Sequence, residues 1–154
     1  TARYMAEQGA YVVPTLVTYD ALANEGKSLG LPDDSVAKIA NVHAAGLRSL
    51  EIFREAGVKM GYGSDLLGES QRLQSDEFRL RAEVLTPAEI LRSATVVGAE
   101  VLGQSGQLGE IVPGAHADVL IVDGNPLASI DCLLGQGERI PMVMKGGRIH
   151  AFAL

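Results

Sequence analysis

Apolar residues recur along this chain with two different spacings, and each spacing predicts a different kind of element. Between Pro32 and Gly57 they lie three and four residues apart, which is typical of the buried face of a long helix. The stripe consists of Val36, Ile39, Ala40, His43, Leu47, Leu50 and either Phe53 or Arg54. Asp33 and Asp34 favour a helix start there, because carboxylates are stabilised near the positive end of a helix, and Gly57 suits the position after a helix end.

Two compact apolar runs predict short strands. Residues 10–13 and 58–62 are largely apolar without clear alternation, which indicates strands buried on both faces, as in a parallel sheet. A helix over residues 1–8 precedes the first run. Residues 14–19 are expected to leave that strand as a loop, and residues 24–30 to form an exposed excursion. The order helix, strand, loop, helix, strand predicts a parallel α/β sheet.

The region after the second strand predicts further helices. After a loop over residues 66–72, residues 75–83 read as a helix with Phe78 and Leu80 as apolar anchors. Thr86-Pro87-Ala88-Glu89 is a strong helix start, because a capping threonine, a proline at the first helical position and a glutamate three residues on form a capping box. We expect that helix to run to Gly103 and to bury Ile90, Leu91, Ala94, Val97, Val101 and Leu102.

A different pattern begins at Gly106, where short apolar runs alternate with glycine-rich turns. These runs predict strands at residues 117–123, 141–145 and 148–152, with Gly146-Gly147 as a hairpin turn. They indicate a small antiparallel β unit that is separate from the α/β part. We therefore expect two domains, one over residues 1–105 and one over residues 106–154.

Composition and charge narrow the class of protein. Hydrophobic residues make up 47% of the 154 residues and charged residues 21%, a balance typical of globular domains. The net charge of −6 argues against a nucleic-acid partner, because phosphate binding needs a concentrated positive face. Cys132 is the only cysteine, which excludes an internal disulfide and fits a cytoplasmic location. No apolar run is long enough to span a bilayer, which argues against a membrane partner.

The candidate for chemistry is the carboxylate of Asp65, which follows the second predicted strand. Functional groups of parallel α/β folds gather at the carboxyl ends of strands, and two glycines just before Asp65 allow close approach of backbone or ligand. Ser64 and Leu66 flank it and are expected to shape the same site. An aspartate in a turn equally caps the next segment or bonds the Gly68 backbone, and spacing alone favours that alternative.

Other polar residues give weaker signals. No two of His43, His116 and His150 are spaced to share one metal ion, so we expect the first to pack at a helix face and the others to lie at the surface. Tyr19, at the expected exit of the first strand, either lines a substrate pocket or is a buried aromatic. Arg72 either meets a substrate carboxylate through its planar guanidinium or is simply solvated.

Several motifs in order resemble the C-terminal part of a metal-dependent amidohydrolase. The pattern is most similar to the imidazolonepropionase-like group, which includes prolidase-like dipeptidases and ochratoxin-type amidases. The segments that bear the resemblance are Val13-Pro14-Thr15-Leu16, residues 57–60, Gly63-Ser64-Asp65-Leu66-Leu67-Gly68, residues 74–78, Leu85-Thr86-Pro87-Ala88-Glu89, residues 93–95, residues 106–109, Pro113-Gly114-Ala115-His116-Ala117-Asp118 and residues 123–127.

The resemblance implies a (β/α)8 barrel with an attached β-sandwich. Residues 10–13 would be its seventh strand, residues 58–64 its eighth, and residues 106–152 the C-terminal share of the sandwich. In such enzymes the aspartate that ends the eighth strand, here Asp65, binds a divalent metal, zinc being expected. It also moves a proton from the metal-bound water to the leaving amine. Tyr19, Ser64, Leu66 and Arg72 would contact the substrate.

The resemblance also implies what is missing. The His-x-His pair, the carboxylated lysine and two further histidines of such binuclear sites belong to earlier strands and are absent here. We therefore expect this chain alone to hold no catalytic metal and to hydrolyse nothing. It begins without an initiator Met, as a fragment would, and an upstream signal peptide leaves a secreted or periplasmic location open.

The parent enzyme is expected to be a homo-oligomer that hydrolyses a C–N bond in a small molecule. Its substrate would be a dipeptide of the Xaa-Pro, Xaa-Arg or Xaa-Lys type or an N-acyl amino acid. Two alternatives remain open from the sequence. One is a cyclic amide substrate of the imidazolone or hydantoin type, and the other is a non-catalytic truncated product that acts as an oligomeric or partner-dependent module.

Overall fold

The computed structural model describes residues 1–28 and 30–153, and for Ala40 only the backbone. Within that part of the chain the α-helices are α1 (Ala2–Glu7), α2 (Leu16–Glu25), α3 (Asp33–Ala56), α4 (Asp76–Arg81), α5 (Pro87–Ala94) and α6 (Val96–Val101). The strands are β1 (Tyr11–Val12), β2 (Lys59–Met60), β3 (Val119–Ile121), β4 (Met142–Lys145) and β5 (Arg148–Phe152). Single 3-10 turns occupy Gly68–Leu73, Ile130–Leu133 and Gly135–Gly137. None of the helices in the described ranges has the length and apolarity that a membrane crossing requires.

The strands form two sheets of opposite kind. β1 and β2 pair in parallel, with Tyr11 opposite Lys59 and Val12 opposite Met60, which confirms the predicted parallel pairing. β3, β4 and β5 form an antiparallel sheet in that order, and the turn at Gly146-Gly147 joins the last two strands as predicted. The division of the chain into two domains stays a prediction.

Two buried apolar clusters hold the helices against the first sheet. The first joins α2, α3 and α4 to the segment after β2 and consists of Leu16, Val17, Ala21, Leu50, Leu66 and Leu80. The second joins α5 to a segment between β3 and β4 and consists of Leu85, Ile90, Ile130, Cys132 and Leu133. Met60 packs against both clusters, so the helices cover one face of β2.

Local signals at the helix ends are confirmed. α3 has Asp33 and Asp34 in its first turn and ends at Gly57, whose φ of +73° is most easily adopted by a residue without a side chain. α5 begins with the complete capping box. The Glu89 N–H donates to Thr86 Oγ1 at 3.3 Å, and the Glu89 carboxylate accepts from the Thr86 N–H at 2.7 Å.

The predicted loop at residues 14–19 is wrong, because α2 begins at Leu16. Leu16, Val17 and Ala21 lie on one face of that helix, and all three are buried where α2 packs against α3. Burial of this face overrides the strand preference of residues 17–19, since tertiary packing outweighs intrinsic propensity.

The exposed excursion predicted for residues 24–30 is only partly present. Asn24 and Glu25 complete the last turn of α2. Lys27 and Ser28 are exposed in the turn that follows, as predicted, and Leu29 lies outside the described residues.

The prediction that both strands are buried on both faces is also wrong. Tyr11 is 39% exposed and Val13 is 40% exposed. Lys59 lies on the same uncovered face, and both Tyr11 and Lys59 contact the Glu100 carboxylate of α6. The two apolar clusters cover one face of this two-stranded sheet, whereas on the other face the contact is with the Glu100 carboxylate, which explains the difference.

One helix prediction and one loop prediction need correction. The helix expected from Thr86 to Gly103 is interrupted at Thr95, whose φ and ψ are −119° and −89°, so that α5 and α6 are separate. Val101 and Leu102 are consequently exposed instead of buried. The loop expected over residues 66–72 contains a 3-10 turn, Gly68–Leu73.

Candidate functional site

Asp65 lies beyond the carboxyl end of the parallel pair, as the sequence predicts. The pairing continues past β2, where the Gly61 N–H donates to the Val12 carbonyl oxygen at 2.8 Å. Asp65, four residues later, is exposed and has a φ of +51°. A left-handed φ is uncommon outside glycine, although aspartate tolerates it better than most residues. The turn therefore presents the carboxylate to solvent at a conformational cost.

The alternative role of Asp65, as a cap of the next segment or a partner of the Gly68 backbone, is not supported. Within the described residues no hydrogen bond joins its carboxylate to the Gly68 backbone, and the 3-10 turn that begins at Gly68 has no side-chain cap. Backbone strain that no local hydrogen bond of the same side chain explains is often found at functional sites. The observation keeps Asp65 as a candidate, and its role stays a prediction.

The two glycines before Asp65 are required by close approach of the neighbouring strand. A Cβ atom on Gly63 would lie 2.7 Å from Val13 Cγ1, and one on Gly61 would lie 3.2 Å from Val13 Cγ2. Contacts under 3 Å are not tolerated without displacement of a neighbour, so a side chain at Gly63 would push the two segments apart. The glycine backbone thus lies close to the Val13 side chain, and close approach of a ligand stays a prediction.

An open hollow of about 330 Å³ lies beside Ser64. It is lined by Tyr62, Gly63, Ser64, Gln74, Ser75 and Phe78. The rings of Tyr62 and Phe78 stack with centroids 4.4 Å apart, and the Tyr62 hydroxyl donates to the Gln74 carbonyl oxygen at 3.0 Å. Burial and the nearby Glu77 carboxylate raise the pKa of the Tyr62 phenol well above its usual range. The hollow thus has an aromatic side and a polar rim formed by hydroxyl and amide groups.

The other predicted site residues take different places. Tyr19 lies on α2 and is 38% exposed, so it is not a buried aromatic. Leu66 is only 8% exposed and belongs to the first apolar cluster, which places it in the core and not on the surface that Asp65 occupies. Arg72 pairs with Glu25 of α2 and its side chain is 47% exposed, so contact of its guanidinium with a substrate stays a prediction.

Sequence reasoning missed a buried ion pair on α4. Glu77 and Arg81 have no exposed side-chain surface, and Arg81 Nε donates to Glu77 Oε1 at 2.7 Å. Burial raises the pKa of the Glu77 carboxyl, and the Arg81 guanidinium and the Val17 N–H, which both donate to it, oppose that rise. The spacing of four residues was the available signal, but such pairs usually lie on exposed helix faces.

The comparisons with known proteins decide the family. The sequence profile of the Amidohydrolase family matches residues 1–149. The chain belongs to the Amidohydrolase family. Two crystal structures superpose closely on this chain. One is an amidohydrolase with 71% identity and a TM-score of 0.94, and the match covers 99% of this chain and 37% of that one. The other is a prolidase complexed with N-methylphosphonate-L-proline, with 54% identity and a TM-score of 0.93, covering 98% of this chain and 37% of that one.

The sequence match to a named relative covers less of this chain than the two structural matches do. The imidazolonepropionase of Rubrobacter xylanophilus is 40% identical over 63 residues, which are 41% of this chain and 15% of that protein. This chain therefore spans little more than a third of the two crystal structures and a smaller part of the named relative.

Amidohydrolases are generally metal-dependent, and the described residues do not fit a complete metal site. Within them no three or more His, Cys, Asp or Glu side chains lie close enough together to hold an ion. His116 and His150 are exposed as predicted. His43 is half-buried on α3, with Nε2 3.8 Å from Asp20 Oδ1. Asp65 is consequently a single candidate donor, and one carboxylate does not make a catalytic metal centre.

Proposed function

We propose that this chain supplies part of the active site of a hydrolase that cleaves a C–N bond in a small amide or dipeptide, with Asp65 as the reacting carboxylate. The observation that supports this most is the exposed, left-handed Asp65 beyond the carboxyl end of a parallel strand pair in an amidohydrolase chain. In parallel barrels the catalytic residues lie at these strand ends.

The proposed role of Asp65 is that of a general base and acid. Its carboxylate would take a proton from the attacking water and return it to the leaving amine, a role worth about 10²–10⁴-fold in rate. We also propose that Asp65 is one ligand of a divalent metal, zinc by preference. The remaining ligands would come from polypeptide beyond the described residues, because these residues contain no complete donor set.

The proposed architecture follows from the sheet. β1 and β2 would be the seventh and eighth strands of a (β/α)8 barrel, and residues 106–152 would contribute to a β-sandwich. The uncovered face of β1 and β2, with exposed Tyr11, Val13 and Lys59, supports this, because a barrel interior would cover it. The substrate-binding roles of Tyr19, Ser64, Leu66 and Arg72 stay predictions, and Leu66 and Arg72 have the least support.

The substrate class proposed first is a dipeptide with a C-terminal proline or a related N-acyl amino acid. The prolidase structure with bound N-methylphosphonate-L-proline is 54% identical to this chain, and the match covers 98% of this chain. Imidazolonepropionase similarity over 63 residues favours a second candidate, a cyclic amide, with less of the chain matched.

A chimera tests the function. The host is the amidohydrolase that is 71% identical to this chain, and its matching segment, 37% of its length, would be replaced by residues 1–154. Hydrolysis of Xaa-Pro dipeptides and of an imidazolone by the chimera would then be measured. We expect turnover of the dipeptide, and a loss of about 10²–10⁴-fold in kcat for Asp65→Asn. Asp123→Asn, with a side chain 77% exposed, is the matched control and should leave kcat unchanged.

The chain by itself gives the complementary result. Metal analysis and the same dipeptide assay on the isolated 154-residue chain should show neither stoichiometric zinc nor turnover, because a lone carboxylate binds zinc weakly. Stoichiometric zinc with turnover would contradict the proposal that other parts of the polypeptide complete the site. An active Asp65→Asn chimera would contradict the role of Asp65.

A further inference from the structure

The ion pair between Glu77 and Arg81 lies behind the carboxyl ends of both parallel strands. Both side chains are fully buried. A buried ion pair is weak evidence of stabilisation, because apolar side chains of the same volume often stabilise a protein as well. What this pair contacts is therefore more informative than its burial.

The two side chains also form hydrogen bonds to backbone atoms next to the strand ends. Arg81 Nη2 donates to the Pro14 carbonyl oxygen, two residues after β1, at 2.7 Å. Glu77 Oε2 accepts from the Val17 N–H in the first turn of α2 at 2.8 Å. The guanidinium carbon of Arg81 lies 5.1 Å from the centroid of the Tyr62 ring, two residues after β2. One pair of side chains thus contacts the chain after both strands.

A second set of contacts connects the pair to the near side of the Asp65 turn. Arg81 Nη1 donates to Ser93 Oγ at 3.2 Å, and the Ser93 carbonyl oxygen accepts from the Tyr62 N–H at 3.1 Å. Tyr62 is therefore held on its ring by the guanidinium and on its backbone by Ser93. It lies three residues before Asp65, so it fixes where the turn begins.

A second point before Asp65 is held through α2. The Thr18 hydroxyl donates to the Ser64 carbonyl oxygen at 2.5 Å, directly before Asp65. Thr18 follows Val17, whose N–H is bound by Glu77. Asp65 thus lies just beyond two points that depend on the buried pair, and its φ of +51° is sustained by these surroundings.

We propose that Arg81 is a positioning residue and that the Arg81–Glu77 pair sets the backbone conformation of Asp65 without touching it. The importance of this for catalysis rests on the proposed function, in which Asp65 reacts. An arginine is needed because one planar guanidinium reaches Glu77, Ser93 and Pro14 at once, whereas a lysine ammonium is a point charge on a flexible stem.

The test reads the Asp65 turn directly in the 154-residue chain by NMR. The observables are the amide chemical shifts of residues 62–66 and the three-bond coupling between the amide and Cα protons of Asp65, which reports φ. The decisive variant is the double substitution Glu77→Leu and Arg81→Met, which leaves no unpaired buried charge. We expect its Tm to stay near that of the parent chain while the Asp65 coupling changes and the shifts of residues 62–66 move.

Two further variants make the result specific. Arg81→Lys keeps the charge and should move the same signals, and it decides the question if the double variant does not fold. Arg54→Met removes another ion pair between helices, Arg54–Glu89 at 2.8 Å, and should leave the signals of residues 62–66 in place.

Unchanged Asp65 signals in the double variant, or equal changes in Arg54→Met, would overturn the positioning role. The measurement involves neither metal nor turnover, so that outcome leaves the proposed hydrolase function standing. Conversely, an active Asp65→Asn chimera removes the proposed catalytic role of Asp65 and leaves the positioning result intact.

Discussion

The two sheets of this protein are held in different ways. β1 and β2 contribute two residues each, yet the segments that follow them are fixed by three helices and a fully buried ion pair. β5 has five residues and all are exposed, and in β3 Leu120 is 52% exposed. Placement of the candidate site therefore depends on burial and on hydrogen bonds to backbone, and the length of a strand ladder contributes little.

The largest expected effect comes from a matched pair of isoleucine substitutions. Ile90 of α5 has 0% exposure, whereas Ile149 of β5 is 55% exposed. Ile90→Ala should lower the free energy of unfolding by about 2–5 kcal/mol, because it leaves a cavity in the second apolar cluster. Ile149→Ala should change it by less than about 0.5 kcal/mol. Urea unfolding of both variants measures this, and equal losses would show that the two regions do not differ.

A smaller effect is expected at the strained turn. Valine at position 65 would combine a branched side chain with a φ of +51°, so Asp65→Val should cost about 1–2 kcal/mol. Asp65→Gly relieves the strain but increases the conformational entropy of the unfolded chain. Its free energy of unfolding should therefore stay within about 0.5 kcal/mol of that of the parent chain. Thermal unfolding of the two variants compares them. A valine variant as stable as the glycine variant would mean that the left-handed conformation is not retained.

The smallest effects concern the capping box, which holds α5 behind the site. Thr86→Ala should cost about 1 kcal/mol through loss of the cap. Burial acts to raise the pKa of the Glu89 carboxyl. Hydrogen bonds from the Thr86 N–H and hydroxyl and from Arg54 outweigh burial and hold that pKa below its usual range.

The pH dependence of that cap follows from the lowered pKa. A carboxylate with a lowered pKa stabilises the fold fully above its unfolded value of about 4.3 and loses the contribution as pH falls through the folded value. Glu89→Gln should therefore cost a few tenths of a kcal/mol at pH 7, and the difference from the parent chain should vanish at acid pH. A difference that persists after the Glu89 carboxyl has been protonated would assign the effect to the shape of the side chain and not to its charge.

The features that the sequence predicts correctly are local ones. The capping box of Thr86 and Glu89, the helix end at Gly57 and the hairpin at Gly146-Gly147 each depend on residues a few positions apart. The position of Asp65 beyond a strand end follows from the same kind of short pattern. The family resemblance extended these local signals to the whole chain.

The features that it does not predict depend on distant contacts. Residues 17–19 prefer strands in isolation, and only packing against α3 makes them helical. Glu77 and Arg81 have the spacing of a surface pair, and their burial follows from contacts with Pro14 and Val17, more than 50 residues away in the chain. The left-handed φ of Asp65 is likewise set by neighbours that the local sequence does not contain.

The stacking of Tyr62 gives this protein an optical probe at the place where the proposed chemistry occurs. The chain has no tryptophan and four tyrosines, so its near-ultraviolet spectrum comes almost entirely from phenol rings. Tyr62 is the tyrosine fixed between a guanidinium and the Phe78 ring, an asymmetric environment that produces near-ultraviolet circular dichroism. Loosening of the strand ends becomes visible in that signal without a label, and it is separable from the far-ultraviolet signal of the helices.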